Sequence, residues 1–513
     1  MFDRAAGIAL LLAVVAAPAF AGPVPRERVE AAVARIDAMA ADLVAAGEVP
    51  GLAIGVVHDD AVVWTKGFGL RRAGSAEAVD PDTVFQLASM SKPISATVVA
   101  ALVGEGVVGW DDRIRDLDPG FALRDPYPTA EVTVRDLFNH RSGLPGSAGN
   151  DLEQIGFDRA TVMHRLRLAP ASSSFRSGYS YSNAGFTAGA LAAVRPTGRD
   201  WETVAAETLF APLGMTASSF RYRDFEGRAN AAALHVRQQD SWTPLVTYDP
   251  FAQAPAGAAT SSVRDLTRWM RLELGEGEID GTRLIEPTAL AATHVPLMAR
   301  GDNPVTGAPS FYGLGWNVEY GRHGLAWGHA GAFSYGARTV VTLLPESRLG
   351  IVVLANAFPT GVPEAVADSF LDLAIDGDLA RDYLGPWNAI YASLFEPAVA
   401  EAKARFATPP QPATPARPPE AYAGRYANAY VGDALVEAGP DGALTLILGP
   451  GGAKRLPMTH FDRDLFVVFP DAEMPDRPSA ARFAIAADGR ADTITIESLD
   501  ANGLGTLARA DRP

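Results

Sequence analysis

The chain has 513 residues, of which 48% are apolar and 20% are charged. This composition is typical of a packed globular protein and excludes a disordered chain, and the length indicates a large domain with a smaller one. A net charge of −16 repels nucleic acid and anionic membranes, so we expect neither as a partner. The absence of cysteine excludes disulfides, thiolate zinc sites, iron–sulfur clusters and a cysteine nucleophile.

The first 21 residues have the pattern of a secretory signal peptide. Arg4 precedes an apolar run over residues 5–17, and Ala19-Phe20-Ala21 matches the small-x-small pattern of a cleavage site. An uncleaved membrane anchor is the alternative, but the run is shorter than the roughly 20 residues that a span needs. We therefore expect a secreted or periplasmic protein without a stable membrane anchor.

Hydrophobic periodicity predicts the next elements in chain order. A helix is expected over residues 29–46, two strands over 50–57 and 61–65, and a buried helix over 95–103. An amphipathic helix over 264–274 has Ser261 or Ser262 as its cap. Strands of one antiparallel sheet are predicted over 313–318, 325–328, 336–343 and 349–355, and a helix over 364–379.

A proline-rich segment separates this region from the last part of the chain. Residues 407–420 contain six prolines and predict a stiff, extended linker. Short strands at 444–448, 465–469, 481–485 and 493–497 follow, with glycine-containing turns between them. The sequence thus predicts a signal peptide (1–21), a catalytic domain (22–406), a linker (407–420) and a small all-β domain (421–513) that forms a barrel or half-barrel.

The first chemical motif is Ser89-Met90-Ser91-Lys92. Residues three apart on a helix lie on one face, about 5–6 Å apart at Cβ, so a neutral Lys92 can take the hydroxyl proton of Ser89. Only four of the 44 basic residues are lysines, and of these only Lys92 has a serine three positions before it. Pro93 fits a first helical turn, which leaves the Ser89 N–H as one half of an oxyanion hole. Ser91 is a competing nucleophile whose spacing points it away from Lys92.

The second motif is Tyr181-Ser182-Asn183, in a polar, turn-rich segment. A tyrosine beside a lysine ammonium can lose its proton more easily and pass one to a leaving group. Asn183 can hold Lys92 and a substrate carbonyl. Tyr179 is a nearby alternative to Tyr181.

The third motif, His329-Ala330-Gly331, lies on a predicted strand. Small residues around it allow a substrate backbone to pair with the strand, and the N–H of Ala332 is expected to be the second oxyanion donor. A purely structural hydrogen bond is the alternative role for His329.

Other chemistries find little support in the sequence. The eight histidines are scattered without a metal-binding spacing, so we expect neither a metal site nor a cofactor. A phosphate loop and a Gly-x-Ser-x-Gly elbow are absent from the sequence. A Ser-His-Asp triad that uses His140 or His329 stays open as an alternative.

Together the three motifs resemble the serine β-lactamase-related superfamily, and more closely its branch of class C β-lactamases, D-aminopeptidases and esterases (peptidase family S12). The resemblance covers roughly residues 30–380. Further matching stretches are Val49-Pro50-Gly51-Leu52-Ala53, Phe85-Gln86-Leu87-Ala88-Ser89, Val134-Arg135-Asp136-Leu137, His140-Arg141-Ser142-Gly143-Leu144-Pro145, Pro212-Leu213-Gly214-Met215 and Tyr312-Gly313-Leu314-Gly315-Trp316.

The resemblance implies an α/β sandwich, in which helices flank an antiparallel sheet beside an all-α subregion. It implies that Ser89 forms an acyl-enzyme, that Lys92 and Tyr181 move protons, and that Asn183 and the strand residues 329–332, including Gly331, hold the substrate. The last domain resembles the lipocalin-like β domains of some D-peptide-cleaving relatives, which cap the active site or assemble subunits. A separate carbohydrate- or protein-binding module is the alternative for this domain.

One departure from the family bears on the substrate. True class C β-lactamases carry a lysine where this chain has His329, and a neutral histidine cannot hold the carboxylate of the drug. We therefore expect a serine hydrolase that acts on esters or on peptides and amides containing D-amino acids. A β-lactamase, or a penicillin-binding or ligand-sensing protein without efficient turnover, is the alternative. The substrate is thus a small molecule or a peptide, and the sequence leaves room for a homo-oligomer.

Overall fold

The computed structural model describes residues 24–238, 241–245, 248–470 and 476–510. The predicted signal peptide lies outside these described residues. The helices span Arg26–Ala45, Ser91–Gly104, Ile114–Leu117, Pro126–Glu131, Val134–Phe138, Asn150–Gln154, Arg159–Arg165, Asn183–Val194, Trp201–Ala205, Tyr222–Glu226, Ala254–Gly257, Val263–Leu274, Pro287–Ala291, Val362–Ile375 and Leu384–Phe406. Within the described part of the chain, no helix has both the length and the apolar character needed to cross a membrane.

An eight-stranded antiparallel sheet forms the centre of the larger part of the chain. In spatial order its strands are Ala61–Gly69, Gly51–His58, Leu349–Ala355, Ala337–Leu344, Gly324–Phe333, Asn317–Gly321, Pro309–Tyr312 and Met298–Asp302. Smaller pairings join Ala357–Phe358, His235–Gln238 and Ser241–Pro244, then Phe85–Gln86 and Thr260–Ser261, and finally Glu278–Ile279 and Thr282–Arg283.

Helices cover both faces of this sheet, so the strand Gly51–His58 is buried at every position. Alternate side chains of a strand point to opposite faces. Accordingly, Ala53 and Val57 belong to a core that includes the inner helix (Ser91–Gly104), whereas Ile54 belongs to a second core on the outer face. This outer core includes residues of the first helix and of the rear helix (Val362–Ile375).

Most predicted elements lie close to their observed bounds, but one strand was wrong. The strand predicted over residues 313–318 begins only at Asn317. Gly315 has a φ of +83°, and a Cβ atom there would lie 2.8 Å from the carbonyl oxygen of Lys92. Residues 313–316 therefore form a turn against the inner helix, which a side chain at position 315 would push away.

The last part of the chain is a closed barrel of eight strands. These span Gly424–Asn428, Gly432–Ala438, Leu444–Leu448, Lys454–Asp462, Leu465–Val468, Ser479–Ile485, Ala491–Ile496 and Thr506–Arg509. The terminal helix (Leu384–Phe406), which the sequence pattern did not predict, leads toward it. The expected fold class, a helix-flanked antiparallel sheet followed by a small all-β domain, is confirmed.

The barrel packs directly on the larger part of the chain. Leu152, Ile155 and Val162 share one apolar core with the barrel interior. The hydroxyl of Tyr430 donates a 2.6 Å hydrogen bond to Asp151 and accepts one of 3.0 Å from the Gly149 N–H. The contact between the two parts is thus both apolar and specifically hydrogen-bonded.

Candidate active site

Ser89 lies in a single 3-10 turn, Ala88–Met90, that runs directly into the inner helix. Ala88 has a φ of +49°, in the left-handed region that a residue with a side chain seldom adopts. Backbone strain of this kind concentrates at functional sites. Ser91 does not compete as a nucleophile, because its buried hydroxyl donates to Ala88 O (2.6 Å) and accepts from the Ala259 N–H (2.9 Å).

Lys92 is fully buried, and its Nζ lies 3.2 Å from Ser89 Oγ. Burial lowers the pKa of Lys92 well below its usual range. Nζ also donates to Asn183 Oδ1 (2.7 Å) and to the carbonyl oxygen of Ala256 (2.9 Å). A neutral amine has two N–H groups for these two acceptors and a lone pair left for the Ser89 hydroxyl. The arrangement therefore allows Lys92 to act as a general base.

Tyr181 donates a hydrogen bond of 2.8 Å to Ser89 Oγ. Burial raises the pKa of Tyr181, so its phenol stays protonated. The expectation that Tyr181 loses its proton more easily is wrong for the resting site, because burial of the phenol disfavours the phenolate. A protonated phenol at this distance can instead give its proton to a leaving group. Tyr179 lies beside Tyr181, with ring centroids 6.4 Å apart.

Asn183 is the first residue of the helix Asn183–Val194, which Ser182 caps by accepting a hydrogen bond from the Gly185 N–H. The cap fixes the side chain of Asn183 opposite Lys92. Its contact with a substrate carbonyl stays a prediction.

The strand Gly324–Phe333 passes next to the turn that holds Ser89. A Cβ atom at Gly331 would lie 2.1 Å from the carbonyl oxygen of Leu87, so only glycine allows this approach. Ala332 pairs with Arg338 on the neighbouring strand. The N–H groups of Ala332 and Ser89 stay the predicted oxyanion donors.

His329 is buried and neutral. Its Nδ1–H donates to the Ala330 carbonyl oxygen (2.7 Å), so Nε2 is free to accept from the hydroxyl of Tyr312 (3.0 Å). Burial lowers the pKa of His329 well below its usual range. The structure thus gives His329 a hydrogen-bonding role and no fixed charge.

His140 is likewise buried, and its Nδ1 accepts a hydrogen bond from the Ser182 N–H at 3.1 Å. Its ring lies 4.4 Å from that of Tyr181, between centroids. In the described chain the Ser89 hydroxyl bonds to Lys92 and Tyr181 and to neither histidine. A Ser-His-Asp triad is therefore not assembled here. His140 instead supports the segment that carries Tyr181.

Arg300 also lies beside the site, which the sequence did not predict. It lies on the edge strand Met298–Asp302, with its guanidinium 5.7 Å from the ring centroid of Tyr179 and 5.9 Å from that of Tyr312. Its charge contributes to the lowered pKa of His329. No sequence motif marks this residue, since its place beside the site depends on the folding of a distant edge strand.

Among the described residues, one group has the spacing to hold a metal ion: His323, Asp372 and Asp376. The guanidinium of Arg322 pairs with both carboxylates, at 2.8 Å and 2.7 Å. Its positive charge competes with any cation at this group. The two aspartates lie on or directly after the rear helix, on the outer face of the sheet.

A helix-flanked antiparallel sheet, with a serine hydroxyl held between a buried lysine and a tyrosine, defines a serine hydrolase. The family model described as Beta-lactamase matches residues 36–375, so the chain belongs to the beta-lactamase family. A second model, described as a domain of unknown function (DUF3471), matches residues 408–506.

Two relatives and one solved structure are similar to this chain. The chain is 27% identical over 409 residues to the unguisins hydrolase ungD' of Aspergillus campestris, and the aligned stretch covers 74% of this chain and 72% of the relative. It is 28% identical over 348 residues to penicillin-binding protein 4 of Amycolatopsis lactamdurans, and this stretch covers 66% of this chain and 85% of the relative. The octameric penicillin-binding protein homologue from Pyrococcus abyssi has a TM-score of 0.57 at 20% identity, covering 91% and 98%, and shows the shared fold.

Proposed function

We propose that this protein hydrolyses its substrate through an acyl-enzyme on Ser89. The observation that carries the proposal is the buried Lys92, 3.2 Å from Ser89 Oγ, with both amine hydrogens assigned to carbonyl acceptors. Lys92 takes the hydroxyl proton as Oγ attacks the substrate carbonyl carbon. Tyr181 donates its proton to the leaving group as the bond to that group breaks. Lys92 then passes the proton it took to the Tyr181 phenolate. Water attacks the acyl carbon, the bond to Ser89 Oγ breaks, and one proton of the water returns to Oγ as the acid leaves.

We propose esters, or peptides and amides containing D-amino acids, as the substrate class. The neutral His329 gives a substrate carboxylate no charge to bind. Arg300 supports peptides over neutral esters, because its exposed guanidinium beside Tyr179 and Tyr312 can form a bidentate pair with a free carboxylate. The relative named a hydrolase and the one named a penicillin-binding protein are consistent with such an acyl donor.

The alternatives are a β-lactamase and a penicillin-binding or sensing protein that acylates without efficient turnover. Arg300 also supports these, since it can receive the carboxylate of a β-lactam. Turnover separates the sensor from the two hydrolases, and the preferred substrate separates the β-lactamase from the ester or peptide hydrolase. A sensor releases at most one equivalent of product, whereas a hydrolase releases product steadily.

A fluorophosphonate probe followed by peptide mapping tests the nucleophile. We expect the label on Ser89, and none on a folded Ser89→Ala variant. A label on another residue, or none on the wild-type protein, contradicts the proposal. Ser91→Ala is the matched control and should still be labelled.

A substrate screen tests the class. It compares a p-nitrophenyl ester, a D-alanyl anilide, a chromogenic cephalosporin, and an acyl-D-Ala-D-Ala peptide with a free or an amidated carboxyl end. If Arg300 binds a carboxylate, Arg300→Ala should raise KM for the free peptide and leave KM for the amidated peptide unchanged. Equal effects on both peptides contradict this role.

We further propose a secreted or periplasmic location, which the pattern of residues 1–21 supports, and a homo-oligomeric state, which the octameric homologue supports. Fractionation of cells that produce the full chain tests the location, and light scattering tests the oligomeric state.

A further inference from the structure

A cavity of about 350 Å³ lies between the outer face of the sheet and the rear and terminal helices. On the strand Gly324–Phe333, the residues that line it are Gly324, Ala326, Gly328, His329 and Ala330, all of them small except His329. These small residues leave the space open. The lining includes His329 and Arg300, which also border the candidate active site, but not Ser89, Lys92 or Tyr181, so the cavity neighbours the acyl-transfer site without containing its reacting groups.

Acidic side chains from two elements line this cavity. Glu364 and Asp368 lie one turn apart on the rear helix, and Glu319 comes from the strand Asn317–Gly321. Carboxylates at this helical spacing repel each other, and the repulsion is stronger away from water. The arrangement therefore favours a positive charge close to Glu364 and Asp368.

Glu364 is only half satisfied. It is 5% exposed, and its Oε1 accepts hydrogen bonds from Arg338 Nε (2.8 Å) and from the hydroxyl of Tyr391 (2.9 Å). Its Oε2 is buried without a hydrogen-bond partner among the described residues. A buried carboxylate oxygen without a partner is costly, and a donor on a ligand would remove that cost.

Among the described residues, the carboxyl of Asp368 has one hydrogen-bond donor, the indole N–H of Trp387 at 2.8 Å. Burial, together with the charges of Glu364 and Glu319, raises the pKa of Asp368 to about 7. Burial also raises the pKa of Glu319. Three carboxyls thus lie near one buried guanidinium of the cavity, that of Arg338, and a bound cation would favour their ionised forms.

Three more arginines line the cavity, but all are exposed at its rim. Arg322 pairs with aspartates at the end of the rear helix, and Arg381 donates to the carbonyl oxygen of Val305. Arg300 lies over the tyrosines of the candidate active site. Their charges are thus directed elsewhere.

The shape of the acidic group distinguishes between kinds of cation. In the described chain, Glu319, Glu364 and Asp368 do not form a group whose oxygens all lie within 4.8 Å of one another, so one metal ion cannot bridge all three. Trp387 also lines the cavity and stacks on Tyr391, with centroids 5.9 Å apart, and the Arg338 guanidinium lies 4.2 Å from the Tyr391 ring centroid. Carboxylates combined with aromatic rings are the surroundings that an organic ammonium ion prefers.

We propose that this cavity is a second ligand site, which binds a small organic ammonium ion through Glu364 Oε2 and Asp368. The ammonium hydrogens satisfy the two carboxylates, and the carbon skeleton lies against Trp387 and the small residues of the sheet. A free amine or the amino group of an amino acid has this chemistry.

Isothermal titration of the full chain at pH 8 tests the proposal, with cyclohexylamine as the probe and cyclohexanol as a neutral ligand of the same shape. We expect cyclohexylamine to bind in the millimolar range or tighter, and cyclohexanol at least about tenfold more weakly. Asp368→Asn should weaken cyclohexylamine by about tenfold or more, and Glu364→Gln should do the same. Ser89→Ala and the exposed Asp378→Asn should leave the affinity unchanged.

Several results would overturn the proposal. They are no binding of cyclohexylamine at about 10 mM, equal binding of cyclohexanol, or unchanged affinity in folded Asp368→Asn. Loss of binding in Ser89→Ala would place the amine in the acyl-transfer site instead. Asp368→Asn keeps an oxygen that can accept the Trp387 N–H, so it can be measured even if Glu364→Gln, which disturbs Arg338, does not fold.

Discussion

The close approach of the strand Gly324–Phe333 to Ser89 makes Gly331→Ala a sharp test of the site. The new Cβ would lie 2.1 Å from Leu87 O and 2.5 Å from Thr339 Oγ1, whereas real Cβ atoms stay beyond 3.0 Å. The strand must therefore move back from the turn by about 0.9 Å at least. A shift of about 1 Å in a catalytic arrangement can cost on the order of 100-fold in rate.

We expect kcat of Gly331→Ala on a chromogenic ester to fall by about 100-fold, while circular dichroism stays that of a folded protein. Gly321→Ala is the matched control, because a Cβ there meets only Ala308 Cβ at an ordinary 3.7 Å. It should keep the wild-type kcat. If folded Gly331→Ala keeps kcat within about threefold of wild type, the strand does not determine the geometry around Ser89.

Three further predictions concern proton transfer and stability. Lys92→Arg should lower kcat/KM by about 10²- to 10⁴-fold, because arginine stays protonated. In the wild-type protein, kcat/KM should fall as the pH drops through the lowered pKa of Lys92. A pH profile that stays flat on its acid side would contradict this. Tyr430→Phe should cost about 1–3 kcal/mol of unfolding free energy by removing the hydrogen bond that the Tyr430 hydroxyl donates to the Asp151 carboxylate, and an unchanged thermal midpoint would contradict this. The carboxyl of Asp368 has a pKa of about 7 in the fold against 3.8 as its ordinary value. As the pH rises from 4 to 7, this carboxyl ionises in the unfolded chain before it does so in the fold, which removes up to about 4 kcal/mol of unfolding free energy. Asp368→Asn should therefore gain stability over wild type at pH 8 but not at pH 4, as measured by denaturant unfolding; an equal difference at both pH values would contradict this.

Local spacing predicted the parts of the site that depend on local geometry. Ser89 and Lys92 are three residues apart at the start of a helix, and the structure places Nζ 3.2 Å from Oγ. Ser262 caps the helix Val263–Leu274 as one of the two expected caps, because its side chain accepts from the Asp265 N–H. Both interactions span only three residues, so the periodicity of the helix determines them.

Contacts between distant segments could not be read from spacing. The second acceptor for Lys92 is the backbone carbonyl of Ala256, which any residue type would supply. Arg300 reaches the site from an edge strand that the pattern did not predict. The terminal helix was missed because Pro397 lies inside it and its sequence lacks a clear apolar stripe.

The pKa values of the site residues depend on burial, which cannot be read from the sequence. The neutral form of His329 followed from its residue type, and burial keeps it neutral. The raised pKa of Tyr181 was not foreseen, since the sequence suggested a charged lysine beside it. The burial of each ring explains its own pKa shift.

The apolar core that Leu152, Ile155 and Val162 share with the barrel has a consequence for how the chain can be divided. A protein cut after Phe406 would present these side chains to water and leave Asp151 without Tyr430. The same segment continues back to His140, which supports Tyr181. Removal of the barrel should thus disturb the segment that supports Tyr181. We expect the larger part of the chain and the barrel to unfold together in one cooperative transition.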